Sequence, residues 1–387
     1  MSEPVRTRYA PSPTGEPHLG NIRTALYDYL LARRYGGQFI LRIEDTDQQR
    51  YVEGGVEALF SALRWLGLDW DEGPDLDGPR GEHGPYIQSE RLELYRTYAD
   101  RLIAEDHAYY CYCSPERLDE MRKAQQARKE PPRYDGRCRN LTPEERDKSE
   151  ASGVTPVVRF KTPLTGDTVA YDVLRGAVSF QNATLDDFVI MKSDGFPTYH
   201  LASVIDDHLM EISHVIRGDE WLPSAPKHFL IYQAFGWDPP LFAHASRILG
   251  PDKTKLSKRH GAHSVLEYRE QGYLPDALVN FLALLGWGLD DHTEIMSREM
   301  LIENFDVDRL LPNPAMFNAE KLLWMNGMYI RQMPVEELAA AVRPWLEDAV
   351  GRVDEGLLLQ IIPIVQERIR LLPDIVEIAD FFFNDGP

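Results

Sequence analysis

The stretch from Arg8 to Glu44 constrains the fold most. A short apolar strand around Val5, Tyr9 and Ala10 runs into a loop built from Pro11, Pro13, Gly15 and Pro17. From about Leu19 the apolar residues Ile22, Leu26, Tyr29 and Leu30 recur at helical spacing. After the Gly36–Gly37 turn a second strand spans Gln38–Ile43 and ends in Glu44, Asp45, Thr46 and Asp47. The alternation continues. Val52, Val56, Leu59, Phe60, Leu63 and Leu66 share one helical face, and Ser89 is placed to cap a helix carrying Leu92, Tyr95, Leu102 and Ile103. Alternating strands and helices predict an α/β fold with a parallel, doubly wound sheet. Ligands bind such sheets at the carboxyl ends of the strands, where Arg8–Ser12 and Glu44 fall. His18 and Gly20 sit where loop becomes helix, and a helix start offers free N–H groups and a positive dipole end to an anion. Alone, that pattern is also compatible with a plain Pro-rich turn.

A chain of 387 residues is long enough for two or three domains with real cores. No stretch approaches a membrane-spanning length, and MSEPVRTRYA is not a signal peptide. Three cysteines do not make a disulfide framework, so a cytoplasmic location is expected. A net charge of −20 opposes indiscriminate nucleic-acid binding, so a nucleic-acid partner needs local basic surface.

Two distant motifs then combine. Pro11–Asn21 (PSPTGEPHLGN) resembles the first signature of class I aminoacyl-tRNA synthetases, in the form carried by bacterial glutamyl-tRNA synthetases. Lys255–Arg259 (KLSKR) resembles their lysine-rich second signature and follows in the right order. The resemblance implies a Rossmann-type parallel sheet split by an α/β insertion, followed by α-helical stem-contact and partial anticodon-binding regions. It implies a glutamate–tRNA ligase that uses ATP with Mg²⁺, L-glutamate and tRNA(Glu), as a cytoplasmic monomer. Carried over residue by residue, it assigns catalysis to His18, Gly20, Lys255 and Lys258. It assigns ATP binding to Pro11, Ser12, His18, Gly20, Asn21, Glu220, Trp221 and Lys258. Glutamate binding falls to Arg8, Ala10, Ser12, Glu44, Tyr199, Ser203 and Arg217. The residue types suit these roles. An amino-acid substrate needs a carboxylate for its ammonium, and a guanidinium can grip a side-chain carboxylate bidentately, which selects glutamate over glutamine. Lysines that close on the phosphates stabilise charge that builds as pyrophosphate leaves. Ser203 departs from the pattern, since relatives carry Asn there facing the substrate α-carboxylate, and Ser reaches less far.

Beyond residue 104 the character changes. Cys111 and Cys113 are followed by a basic run of Arg122, Lys123, Arg128, Lys129, Arg133, Arg137 and Arg139, with Cys138 near its end. This resembles the zinc-carrying insertion of bacterial glutamyl enzymes, which packs against the acceptor end of tRNA. Three thiolates begin a tetrahedral site. The position that often holds His in the family is Asn140, a poor ligand, and Tyr134 is the candidate substitute by similarity to short tRNA-modifying relatives. Three free thiols are the alternative. Val157–Lys161 and Val178–Gln181 are strand-like, and Phe188–Lys192, Ser193-Asp194-Gly195 and Thr198–Leu201 read as a hairpin.

The segments are 1–104 for the first half of the catalytic domain, 105–200 for the insertion, and 201–261 for the second half. Residues 262–333 form the stem-contact region, with Phe317–Arg331 resembling the family's stem-contact helix, and 334–387 begin a helical anticodon-binding domain. Helices are expected from Pro275 to a stop at Gly286, over Val335–Val350 with Pro344 as an interruption, and over Glu355–Leu372 with a kink or break at Pro363. The early end after Phe381–Phe383 reads as a truncation. The competing functions are a glutamyl-Q tRNA(Asp) synthetase, which lacks the helical C-terminal part, a nucleotidylyltransferase, and a non-catalytic tRNA-binding protein.

Overall fold

The computed structural model describes residues 4–151, 153–254, 256 and 264–383. The first unit is β1 (Arg6–Tyr9), α1 (Leu19–Arg34) and β2 (Gln38–Leu41). The helix carries the chain back along the sheet, so the strands pair parallel, from Arg6 opposite Gln38 to Tyr9 opposite Leu41. The turn between α1 and β2 uses glycine for two reasons. Gly36 has φ +60°, and a Cβ on Gly37 would collide with the Val5 carbonyl.

Next come α2 (Gly55–Trp65), α3 (Leu92–Ala104), β3 (Ala108–Cys111), α4 (Pro115–Ala127), α5 (Pro143–Glu150), β4 (Val157–Phe160), β5 (Asp167–Asp172), β6 (Gly176–Gln181) and β7 (Val189–Met191). The chain continues through α6 (Tyr199–Leu209), β8 (His214–Gly218), α7 (Ala225–Phe235), β9 (Leu241–Ala245) and β10 (Ile248–Leu249). The remainder is α8 (Val265–Glu270), α9 (Pro275–Leu284), α10 (Arg298–Asn304), β11 (Ala315–Met316), α11 (Ala319–Gln332), α12 (Val335–Val350), α13 (Glu355–Val365) and α14 (Asp374–Ala379).

The main sheet has the order β2-β1-β8-β9-β5-β6. Every neighbouring pair is parallel except the edge hairpin β5–β6. The 105–200 segment therefore does two things. It builds its own antiparallel sheet, β3-β4-β7, and it lends β5 and β6 to the edge of the main sheet. The antiparallel edge is legible in β5, where buried and exposed residues alternate, as one covered face requires. Helix α1 is different. It packs against β1 and β8 and also against α9 and α10, and eleven of its residues are buried, so it lies inside the core rather than on a surface.

Several local expectations are corrected. The hairpin after β7 is shorter than Thr198–Leu201 allows. Thr198 N–H donates to the Ile190 carbonyl, and Tyr199 already begins α6. Ser89 does not cap a helix: it lies in a 3-10 turn, its N–H donates to Asp45, and α3 starts at Leu92. Val52 precedes α2 and is exposed, with its N–H on the Pro13 carbonyl. Pro344 and Pro363 both sit inside continuous helices, α12 and α13. The break in Glu355–Leu372 comes after Val365, two residues beyond Pro363.

Candidate active site

Four strands of the main sheet deliver charged or polar side chains at their carboxyl ends. Arg8 comes from β1, Glu44 from the segment after β2, Arg217 from β8 and His244 from β9. Helix α6 faces them. Its Tyr199, Ser203, Asp206 and Asp207 lie at positions i, i+4, i+7 and i+8, one stripe of a helix, and the last three are buried.

Arg8 and Glu44 belong to one closed network. Arg8 Nε donates to Asp207 Oδ1 at 3.0 Å. Arg42, fully buried, donates from Nη1 to the same oxygen at 2.8 Å and from Nη2 to Glu44 Oε1 at 2.9 Å. Asp206 accepts from Arg91 Nε, Gln88 Nε2 and Tyr95 Oη at 2.8, 2.9 and 2.7 Å. Burial raises the Asp207 carboxyl, but Arg8 and Arg42 outweigh it and hold Asp207 below its ordinary range. Glu44 goes the other way: burial pushes it up, and Arg42 opposes this without cancelling it.

Arg217 stands in a neutral setting. Its Nε donates to His244 Nε2 at 3.0 Å, and its Nη1 donates to Tyr199 Oη at 3.0 Å and His228 Nδ1 at 3.4 Å. Burial, with Arg217 beside it, lowers His228 far below the usual histidine value, and burial lowers His244 too. Arg217 Nη2 is buried and has no hydrogen-bond partner, and Ser203 Oγ is in the same position. Among the described residues no carboxylate pairs with Arg217.

The loop residues gather beside this pocket. His18 is the exposed residue preceding α1, and its ring lies 3.3 Å from where a Cβ on Gly20 would sit. Ser12 and Asn21 are exposed, while Pro11 and Ala10 are half-buried. Glu220 and Trp221 lie in the 3-10 segment after β8. The Glu220 carboxylate occupies the space a side chain on Gly218 would need, and the Trp221 ring is tilted against Tyr199 with centroids 4.5 Å apart. Lys255 and Lys258 lie outside the described residues. The segment resumes at Ser264, which pairs with His18 in a β-bridge, while Val265 N–H donates to the Pro17 carbonyl. Tertiary structure thus ties the first signature loop by backbone bonds to Ser264 and Val265, where the described chain resumes.

Residues 4–324 match the catalytic-domain family described as tRNA synthetases class I (E and Q), and residues 337–387 match an anticodon-binding domain family. The chain belongs to the class I tRNA synthetases of the glutamate and glutamine type. A glutamate–tRNA ligase of Dehalococcoides mccartyi is 56% identical over 100% of this chain and 79% of its own length. One from Moorella thermoacetica is 48% identical over 98% of this chain and 78% of its own length. In three dimensions the chain superposes on a glutamate tRNA ligase from Elizabethkingia meningosepticum, crystallised with its amino acid. That match has a TM-score of 0.93 at 43% identity and covers 99% of this chain and 80% of the other.

The synthetase carries a second candidate site in the 105–200 segment. The Sγ atoms of Cys111, Cys113 and Cys138 lie within 4.8 Å of one another. Cys113 and Cys138 Sγ are 3.6 Å apart, and Tyr134 Oη is 3.4 Å from both Cys111 and Cys113 Sγ. A tetrahedron of donors with metal–sulfur bonds of about 2.3 Å has edges of roughly 3.8 Å, so three thiols and a phenol fit zinc. Arg117 Nη1 lies 3.3 Å from Cys113 Sγ, and the Arg159 guanidinium sits 4.0 Å over the Tyr134 ring, so two cations offset thiolate charge. Asn140 is exposed, whereas Cys111, Cys138 and Tyr134 are buried. The basic run is partly spent at home. Lys123 pairs with Asp119, Arg128 with Glu130 and Arg139 with Asp187, while Arg133 donates to the Ala183 and Leu185 carbonyls. No helix among the described residues is long and apolar enough to cross a membrane.

Arg42, Gln88, Arg91, Tyr95, Asp206, Asp207 and Asp172 were not expected at the site. One sequence signal was available: two adjacent aspartates following the apolar Val204 and Ile205 within Leu201–Leu209.

Proposed function

We infer that this protein is a glutamate–tRNA ligase, which activates L-glutamate with ATP and transfers it to the 3′ end of tRNA(Glu). The observation that carries the assignment is Arg217: a buried guanidinium with one N–H-bearing nitrogen unspent and no carboxylate of its own. Leaving such a group dry and unpaired costs several kcal/mol, roughly, so the pocket favours an incoming carboxylate. The γ-carboxylate of glutamate supplies it, with Tyr199 and Arg8 beside it. Glu44 meets the ammonium, which relieves the resistance of a buried carboxyl to ionisation. Ser203, with its Oγ unspent, turns toward the α-carboxylate together with Ala10 and Ser12.

ATP lies on the His18–Gly20–Asn21 helix start, with Pro11, Ser12, Glu220 and Trp221 around it and Lys255 and Lys258 on the phosphates. The α-carboxylate of glutamate attacks the α-phosphorus, the bond to the β-phosphate oxygen breaks, and pyrophosphate leaves. No base is needed, because the nucleophile is already an anion. Mg²⁺ bound with ATP would supply neutralisation of the charge on the departing pyrophosphate. A ribose hydroxyl of the tRNA 3′ end then attacks the carbonyl, and AMP leaves. Cys111, Cys113, Cys138 and Tyr134 would hold zinc, which would brace the 105–200 segment away from the reacting groups. A chelator is expected to loosen that segment to protease while leaving the main sheet protected. A cytoplasmic monomer agrees with three unpaired thiols.

A glutamyl-Q type enzyme is the second reading, and the match of 337–387 to an anticodon-binding domain favours the ligase over it. ATP–pyrophosphate exchange with glutamate, with and without tRNA, separates them. Exchange only with tRNA supports the ligase, robust exchange without tRNA supports the glutamyl-Q type, and none under either condition removes the catalytic reading.

A further inference from the structure

We propose that Asp172 and His244 are positioning residues for substrate selection: Asp172 fixes the tautomer of His244, and His244 then holds Arg217 so that Nη2 faces the pocket. The proposal rests on the reading of Arg217 as the partner of the glutamate side-chain carboxylate.

Asp172 is the last residue of β5 and lies opposite Phe242 in the parallel pairing with β9. That register places its carboxylate beside His244, two residues further along β9. Asp172 Oδ2 accepts the His244 backbone N–H at 2.9 Å and lies 2.7 Å from His244 Nδ1. Asp172 Oδ1 accepts the Leu174 N–H at 3.0 Å and Arg175 Nη1 at 3.3 Å. The carboxylate is therefore held from four directions and cannot swing. Both side chains of the pair are almost completely buried, at 2% and 1% exposure.

The network assigns the ring proton. Nδ1 faces a carboxylate oxygen, so Nδ1 carries the hydrogen. Nε2 then presents a lone pair, which takes the Arg217 Nε–H at 3.0 Å. The other tautomer, or a protonated ring, would set N–H against N–H and push the guanidinium away. Burial holds His244 below its usual value, which agrees with a neutral ring. With Nε pinned by His244 and Nη1 by Tyr199 and His228, the planar fork has one orientation left, and Nη2 is the donor that remains. A carboxylate on the substrate can take it, whereas a carboxamide presenting its NH₂ cannot. The sheet-edge hairpin from the 105–200 segment thus reaches the specificity residue of the catalytic half.

The test compares Arg217→Ala, Asp172→Asn, His244→Ala and His244→Gln in the whole chain, by tRNA-dependent pyrophosphate exchange with glutamate and with glutamine. Asn at 172 can donate to Nδ1 and so favours the wrong tautomer, as Asn does when it replaces the buried Asp of a serine-protease triad. Asp172→Asn and His244→Ala are expected to raise KM for glutamate on the order of 10–100-fold, the scale found for outer partners of metal ligands. KM for ATP should stay within a few-fold, and the preference for glutamate over glutamine should shrink. His244→Gln, whose amide oxygen can accept from Arg217 Nε, should recover most of the loss. Unchanged KM for glutamate in Asp172→Asn and His244→Ala, with Arg217→Ala impaired, overturns the proposal and spares the site. An unimpaired Arg217→Ala instead removes the site reading, and this proposal with it. A readout independent of variant folding is the ¹⁵N spectrum of the His244 ring in the wild type: a hydrogen on Nδ1 supports the assignment, and one on Nε2 overturns it.

Discussion

Two arginines stand at the same end of the main sheet and have opposite surroundings. Arg8 is tied to Asp207, which also holds Arg42, which in turn holds Glu44, so positive and negative charges are spent on each other. Among the described residues Arg217 meets a phenol, two neutral imidazoles and the face of the Phe242 ring, and no carboxylate. The arginines of the first cluster already have carboxylate partners without substrate, and Arg42 holds Glu44 in place. The second is incomplete, because a buried guanidinium without an anion keeps most of its desolvation cost. The difference separates an arginine already paired with a carboxylate of the protein from one left without any, although both are buried and on neighbouring strands.

If that contrast is right, Arg217→Ala should give the largest functional loss. kcat/KM for glutamate should fall on the order of 10²–10³ or more, as expected when one partner of a desolvated charge pair is removed. Thermal unfolding should change little, because no carboxylate is orphaned. Asp207→Asn should do the reverse in kind. It takes from Arg8 its carboxylate partner and leaves Glu44 as the carboxylate hydrogen-bonded to Arg42, and about 3–5 kcal/mol of stability should disappear, read by denaturant unfolding. A functional loss without a stability loss would break the contrast. The same pair of proteins has a signed pH dependence. Asp207 is held below its ordinary 3.8 in the fold, so its contribution is fully present above the unfolded value and is lost as pH falls through the folded one. The stability gap between wild type and Asp207→Asn should therefore be constant near neutrality and narrow in acid below about 4. A gap that widens in acid would mean the first cluster is not held by that carboxylate. The smallest effect is Tyr95→Phe, which removes one of three donors to Asp206 and should cost about 1 kcal/mol with KM for glutamate unchanged.

Periodicity was a good guide where burial has one side. Helix α12 matches Val335–Val350 residue for residue, and α9 begins at Pro275 as a proline at the first helical turn suggests. It misled where tertiary bonds compete. Ser89 has the chemistry of a cap, but its backbone N–H is claimed by Asp45, and the helix starts later without one. Thr198–Leu201 has strand-like residues, but after Thr198 closes the short hairpin the chain turns into α6, which buries Leu201 and Ser203 against the sheet. The large apolar side chains of α1 announced a helix, yet not that Arg23 and Asp28 would also be buried, because Arg23 donates to the distant Leu285 and Ser246 carbonyls and Asp28 lies against β1 and β8.

By itself the sequence determined the alternating α/β order, the two signature motifs, and the residue types that an amino acid and ATP require. These are local: a spacing, a proline-rich turn and a run of lysines each carry their meaning within a few residues. Only the tertiary structure decided which charges are spent and which are left. Asp207 reaches Arg8 across 199 positions of chain and Asp172 reaches His244 across 72, and whether a guanidinium is satisfied depends on every group within about 3 Å of it. No window of sequence contains that count, because sheet order β2-β1-β8-β9-β5-β6 makes neighbours of strands that the chain keeps far apart.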